Sequence, residues 1–375
     1  MEILIQGIQE ITWQQGVMML IGALLMYLGI ARDYEPTLLV PMGLGTILVN
    51  FPNSGIVEII RNGTDKEFKG PLGDLFNAGI ATELFPLLIF IGIGAMIDFG
   101  PLLKNPFMML FGAAAQFGIF FTAIAAAYVF DLKEAATIGI IAAADGPTSI
   151  FVANKIAPNI LGPITVAAYT YMSLVPIIQP PVIKLLTSKK ERRIRMVYRE
   201  SDVSQKAKIF FPIAITLVAG FVAPVSLPLV GFLMFGNLLR ECGVLERLSQ
   251  AAQNELVNII SILLGLTISV QMVAEDFLNE RTLIIIAFGL LGFIMDTAGG
   301  VLFAKFINIF KKEKINPMIG AAGISAFPMS SRVIQKIATE EDPSNIILMH
   351  AAGANVSGQI ASVVAGGLLL AFFGM

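Results

Sequence analysis

Residues 140–149 read "IIAAADGPTS". One aspartate, Asp145, sits inside a run of small and apolar residues, and Gly146 and Pro147 follow it at once. Proline has no N–H to donate and disfavours helix at the residue before it, while Gly146 accepts dihedrals that other residues resist. The stretch is therefore read as a helix broken at Asp145–Pro147. Freed carbonyls at membrane depth are tolerated only where they line a polar cavity or find partners. An ionisable side chain in a span is by default a functional-site residue. Asp145, the freed carbonyls and the hydroxyls of Thr148 and Ser149 make an all-oxygen set, which suits Na⁺ or H⁺ rather than a transition metal. The plainer alternative is a kink in which Asp145 is hydrogen-bonded or protonated.

The rest of the chain supplies the membrane. Its 375 residues are 56% hydrophobic and 14% charged, where a soluble domain carries roughly 25% charged residues. Mean hydropathy is +0.79. The apolar blocks are of bilayer-spanning length, and few show the polar face that a large soluble helical domain requires. The expectation is an all-α, polytopic membrane protein with about 10–12 membrane segments. They are placed at 15–31, 36–51, 83–99, 106–130, 134–157 and 160–186, then 209–224, 226–239, 255–273, 282–309, 316–338 and 344–372. The lone cysteine, Cys242, excludes an internal disulfide. Residues 1–12 show no positive n-region, so no signal peptide is read there; they form an interfacial helix or a frayed end.

Residues 188–208, "SKKERRIRMVYRESDVSQKAK", concentrate Lys and Arg and are placed on the cytoplasmic side by the positive-inside rule. This basic linker divides a first membrane half, 1–187 with a soluble loop at 52–76, from a second, 209–375. The halves echo each other weakly. "KNPFMMLFGAAAQFG" from Lys104 matches "INPMIGAAGIS" from Ile315, and "AADGPTSIF" matches "AGANVSGQIA". "GAMIDFG" at 94–100 matches "GFIMDTAGG" at 292–300, and "PMGLGTILVN" at 41–50 matches "LVGFLMFGNL" at 229–238. Four matches in one order suggest an inverted repeat with broken helices at the midplane, the mark of secondary-transporter folds with a site at the repeat interface.

Asn355 stands where the first half has Asp145, which leaves one charge facing one amide; a second carboxylate would raise one of the two pKa values. Ser357, Gln359 and Ser362 add oxygens nearby. Asn316 and Ser325 add polar groups in the other motif, Pro328 adds a break, and Gly320 and Gly323 permit close helix approach. Asp98 and Asp296 occupy related positions, in the interior or near helix ends. Arg332 either snorkels to the surface or binds an anion in fork geometry. Tyr169 and Tyr171 line a cavity or anchor at the interface, and His350 is read as a tolerated interior or interface residue rather than a proton carrier. No P-loop, paired His or Cys spacing, GxSxG motif or biotin-attachment lysine is found.

"GIARDYEPTLLVPMGLGTILVNFP", "FIGIGAMIDFGPLLKNP", "AAADGPTSIFVANKIAP", "YTYMSLVPIIQPP", "NPMIGAAGISAFPMSSRV" and "HAAGANVSGQIAS" together resemble the β subunits of the biotin-dependent, sodium-translocating decarboxylases. The resemblance covers nearly the whole chain, 52–76 being the poor match. It implies a subunit that decarboxylates carboxybiotin with consumption of a proton and exports Na⁺. The implied partners are a carboxyltransferase α subunit, a small membrane γ subunit, a separate biotin carrier and further β copies, in a bacterial or archaeal cytoplasmic membrane. By the same resemblance Asp145, Asn316 and Asn355 match sodium-binding positions, with Gly320 in the same motif. Tyr171 and Ser325 match polar residues on the ion or proton path, Arg332 an arginine toward carboxybiotin, and Ser362 a further polar position. The competing readings are a Na⁺- or H⁺-coupled carrier of an organic anion, active alone, and a structural anchor that needs neither Asp145 nor Asn355.

Overall fold

Trp13–Arg32 is a continuous helix of 20 residues, opened by Thr12 and Gln15 in a reciprocal capping box. At 1.5 Å per residue such a helix spans about 30 Å, the thickness of a bilayer core. The computed structural model describes residues 10–62, 65–196 and 203–374. Most of the proposed interfacial segment at 1–12, and the linker's Arg199, Glu200 and Asp202, lie outside them. Among the described residues the molecule is helical save for one β-hairpin, β1 (Glu58–Asn62) against β2 (Asp65–Lys69), and its connecting segments.

Among the described residues five helices are long and apolar enough to cross a membrane: Trp13–Arg32, Pro106–Ala126, Glu246–Met272, Glu280–Phe310 and Leu348–Phe373. Two bent pairs, Pro71–Ala81 with Leu84–Met96 and Pro158–Ser173 with Val175–Leu186, raise the count to seven. Ten to twelve segments was the expectation. Two of the expected spans turn back on themselves, and those at 36–51, 209–224 and 226–239 are helices that also fall outside this count.

The first is 134–157. Helix Leu132–Gly139, capped by Asp131, runs inward through a tight 3₁₀ turn to Ala143; helix Gly146–Ile156 runs out again. Both legs end together, because Asn159 donates to Glu134 at 2.6 Å and Arg281 pairs with the same carboxylate. Each leg of 11 or 12 residues reaches about 17 Å, half the hydrocarbon depth. The second is 316–338. Asn316 and Asn345 both donate to the backbone carbonyls of Arg192 and Ile194, so that hairpin also enters and leaves at one end. The C-terminal helix Leu348–Phe373 starts beside Asn345 and ends against Leu132 and Ala135. The hairpins therefore dip in from opposite ends, and their tips meet where the Ser325 amide donates to the Ala143 carbonyl at 3.2 Å.

Around them the halves pack reciprocally. Helix Pro36–Val49 lies against Val257–Ile268, with Gly45 at Ser269 and Gly265 at Pro41. Helix Leu227–Glu241 lies against Leu84–Met96, with Gly94 on the Leu233 carbonyl and Gly236 on the Ile91 carbonyl. Asn50 donates to the Met272 carbonyl at 2.9 Å, and Asn237 to the Ile97 carbonyl at 2.8 Å. In each case an amide closes the frayed end of a helix from the other half. Lipid tails are as apolar as leucine, so such close glycine contacts and interhelical hydrogen bonds, rather than water exclusion, hold membrane helices together.

The described stretch of the linker, 188–196, is docked on the protein. Ser188 and Glu191 form a capping box that starts Lys189–Arg192. Arg192 is 5% exposed and pairs with Glu341, and Arg195 pairs with Asp342 at 2.8 Å. Residues 188–196 therefore lie across the base of the second hairpin. The segment at 52–76 folds as the β-hairpin and helix Pro71–Phe76, tied down by Arg61–Glu275 at 3.0 Å and Lys66–Asp276 at 2.8 Å.

Candidate ion-binding site where the hairpin tips meet

The chain leaves helical geometry at Ala144, whose φ of 50° and ψ of 45° are left-handed, a conformation costly without glycine. Asp145 is extended and caps the next helix. Its Oδ1 accepts the Thr148 N–H at 3.2 Å, and its Oδ2 accepts the Thr148 hydroxyl at 2.8 Å. Ser362 of the C-terminal helix donates to the same Oδ2 at 2.9 Å. The carboxylate is 4% exposed and sits at a helix N-terminus, where the macrodipole favours negative charge. Gly146 is required because the ring of Tyr169 occupies the place of a Cβ.

The C-terminal helix binds both tips along one face. Asn355, Gln359 and Ser362 recur at i, i+4 and i+7, a single helical stripe. Asn355 donates to the Ile324 carbonyl at 2.7 Å, and Gln359 donates to the Ser325 carbonyl. Ser325 returns a hydroxyl to the Gly358 carbonyl at 3.0 Å. These bonds satisfy the unwound backbone of the second tip, as the bilayer interior demands. They also fix each amide's orientation, because only its nitrogen can donate to a carbonyl. The oxygens Asn355 Oδ1 and Gln359 Oε1 are left buried without a partner, as is the hydroxyl of Tyr169. One carboxylate, the hydroxyls of Thr148 and Ser362 and two free amide oxygens are hard donors of the kind an alkali cation takes.

Of the expected residues, Asp145, Ser325, Asn355 and Ser362 come together here. Gly320 lies below, in backbone contact with Gly300 where the second hairpin crosses helix Glu280–Phe310. Asn316 stands at the hairpin's base, bonded to the linker carbonyls and to the Met318 amide rather than to Asp145. Tyr171 gives its hydroxyl to the Ile286 carbonyl, so Tyr169 is the tyrosine at the break. Arg332 is exposed on the first turn of Met329–Glu341, and its charge acts on Glu35. Asp98 and Asp296 part company: Asp98 caps the Gly100 amide near Lys208, whereas Asp296 is wholly buried. The convergence of Gln359 on the second tip had a sequence signal in its spacing from Asn355 and Ser362; the approach of Tyr169 to Gly146 had none.

Apolar helices of membrane-spanning length around two interrupted hairpins whose tips meet at a buried carboxylate define an ion-transporting integral membrane protein. The family model for the Na⁺-transporting oxaloacetate decarboxylase beta subunit matches residues 14–373. The chain is 48% identical to the methylmalonyl-CoA decarboxylase subunit beta of Propionigenium modestum, over 96% of this chain and 94% of that one. It is 48% identical to the glutaconyl-CoA decarboxylase subunit beta of Acidaminococcus fermentans, over 98% and 96%. It is 44% identical to the oxaloacetate decarboxylase beta chain of Haemophilus ducreyi, over 98% and 96%. The chain belongs to the β-subunit family of the Na⁺-transporting decarboxylases. It is a multi-pass membrane subunit of a sodium pump that works as a multi-subunit complex.

Proposed function

We propose that this chain decarboxylates carboxybiotin, consuming a proton, and couples that reaction to Na⁺ export through Asp145. The observation that carries the reading is the Asp145–Ser362 contact, a carboxylate held at a hairpin tip by the C-terminal helix, whose two preceding turns carry unpartnered amide oxygens. Sodium is the cargo, and its ligands would be Asp145, Ser362, Thr148, Asn355 and Gln359. Asn316 and Gly320 would act by positioning the second hairpin, Asn316 from its base and Gly320 through its contact with Gly300.

Asp145 serves exchange because it can hold Na⁺ or a proton but scarcely both; a bound cation favours the ionised form. Net pumping needs two access states with different affinities. Hairpins that enter from opposite ends and meet at the site support a sliding or rocking motion of one bundle against the other, which opens the site to each side in turn. They also support an inverted repeat of 1–187 and 209–375 about the 188–208 linker. By charge the linker end is cytoplasmic. Carboxybiotin on a separate carrier would approach from that end, toward Arg332, with Ser325 and Tyr171 along the ion or proton path. A carboxyltransferase α subunit, a small γ subunit and further β copies would complete the complex in a bacterial or archaeal cytoplasmic membrane. A free-standing anion carrier is not favoured by the family.

The test is the complex reconstituted in vesicles. Acid-driven, avidin-sensitive ²²Na⁺ transport should be present in the wild type and absent in Asp145→Asn. Transport without a biotin carrier, or full coupling in the variant, would overturn the reading.

A further inference from the structure

A second buried carboxylate is not used by the ion site. Asp296 lies in the middle of helix Glu280–Phe310 and is fully buried. Its Oδ1 accepts the Gly118 N–H, and the Ile119 amide bonds to the carboxylate as well. These amides open helix Phe117–Ala126, the second part of a span interrupted at Gln116. Oδ2 has no hydrogen-bond partner among the described residues. The buried hydroxyls of Thr122 and Thr297 have none either. Thr122 lies one turn beyond Gly118 and faces Gly292, one turn before Asp296. A Cβ on Gly118 would strike both the Gly292 carbonyl and Asp296, so the two helices are in backbone contact at this point.

The elements packed against Asp296 bring no charge to it. Helix Phe117–Ala126 and the 140–143 segment carry no titratable side chain, and neither does Met318–Ala321. Tyr171 is spent on the Ile286 carbonyl. Lys184 pairs with Glu340, and Lys133 and Glu134 lie at the outer end of the first hairpin. On its own helix, Arg281 and Lys305 are roughly 22 and 13 Å away along the axis, bound to Glu134 and Glu191. A buried carboxylate without a counter-charge takes up a proton rather than bear the cost of desolvation. Sodium is a poorer occupant, since it needs several oxygens and Oδ1 is committed to backbone amides.

We propose that Asp296 is a proton-binding site separate from the sodium site, carrying its proton on Oδ2. Release of that proton leaves the electron pair on Oδ2. The Ala142 side chain rests on Gly292, so the site stands directly behind the segment that leads to Asp145. Its use in supplying the consumed proton rests on the proposed reaction; its occupancy does not.

Infrared difference spectroscopy between low and high pH, on the intact purified complex, separates the two. A protonated-carboxyl C=O stretch should be lost as pH rises, should persist in Asp145→Asn and should be missing in Asp296→Asn, which keeps the shape of the neutral acid. A band unchanged by Asp296→Asn, or one that stays at every pH and during turnover, would overturn the proposal. Should Asp296→Asn fail to assemble, Asp145→Asn decides: a band that survives and titrates there supports the proposal, and one lost there belonged to Asp145. The spectrum reads proton occupancy whatever acid the pump consumes.

Discussion

Ser362 donates its hydroxyl to Asp145 Oδ2 at 2.9 Å, joining the first hairpin to the C-terminal helix. Hydrogen bonds to charged groups contribute about 1.5 kcal/mol or more. Ser362→Ala should therefore weaken Na⁺ activation of the complex roughly tenfold while leaving it assembled. A titration of activity against Na⁺ concentration checks this, and an unchanged half-saturation point would remove Ser362 from the site.

Gly358 is where the second tip touches the C-terminal helix, and a Cβ there would strike the Gly323 carbonyl. Backbone cannot yield as a side chain can, so Gly358→Ala should cost about 1–3 kcal/mol through overpacking. It should also displace Ser325 from its carbonyl partner. Lower thermal stability together with lost Na⁺ dependence is the expected result.

At the far end, Glu134 is buried and holds both Arg281 and Asn159. Arg281→Ala leaves that carboxylate with Asn159 as its remaining donor; breaking a buried pair costs about 3 kcal/mol, and the arginine's exposure lowers the figure toward about 2. Hydrogen exchange should rise at 132–159 and remain unchanged at 316–345.

Arg192 beside Glu341, and Arg195 beside Asp342, hold those carboxyls below their ordinary values. A depressed carboxylate gives stability that is present above the unfolded value, about pH 4, and is lost as pH falls through the folded value. The linker clasp should thus be indifferent to pH near neutrality and open in acid. Exchange protection of 188–196 followed from pH 7 downward tests this, and Arg192→Gln should lower protection at neutral pH and flatten the acid response.

Composition and block length made the membrane class legible, and the Asp-Gly-Pro run showed where a helix must break. Apolar length does not tell whether a chain crosses or returns, so the hairpins at 134–157 and 316–338 read as spans. What turns them back is the bonding at their bases, Asn159 to Glu134 and Asn316 with Asn345 to the linker carbonyls. Those partners are distant in sequence, and an amide looks the same whether it serves an ion or a backbone. Asn355 and Ser362 were visible as polar residues in an apolar segment, but not that they share a face that meets both tips. The basic linker was visible as charge alone; its docking depends on Glu341 and Asp342, acids with no pattern of their own.

The most direct test of the sodium site is equilibrium ²²Na⁺ binding to the purified complex, wild type beside Asp145→Asn. A saturable component present in the wild type and absent in the variant is the predicted result. Equal binding by both would place the sodium site elsewhere and leave Asp145 as a helix cap.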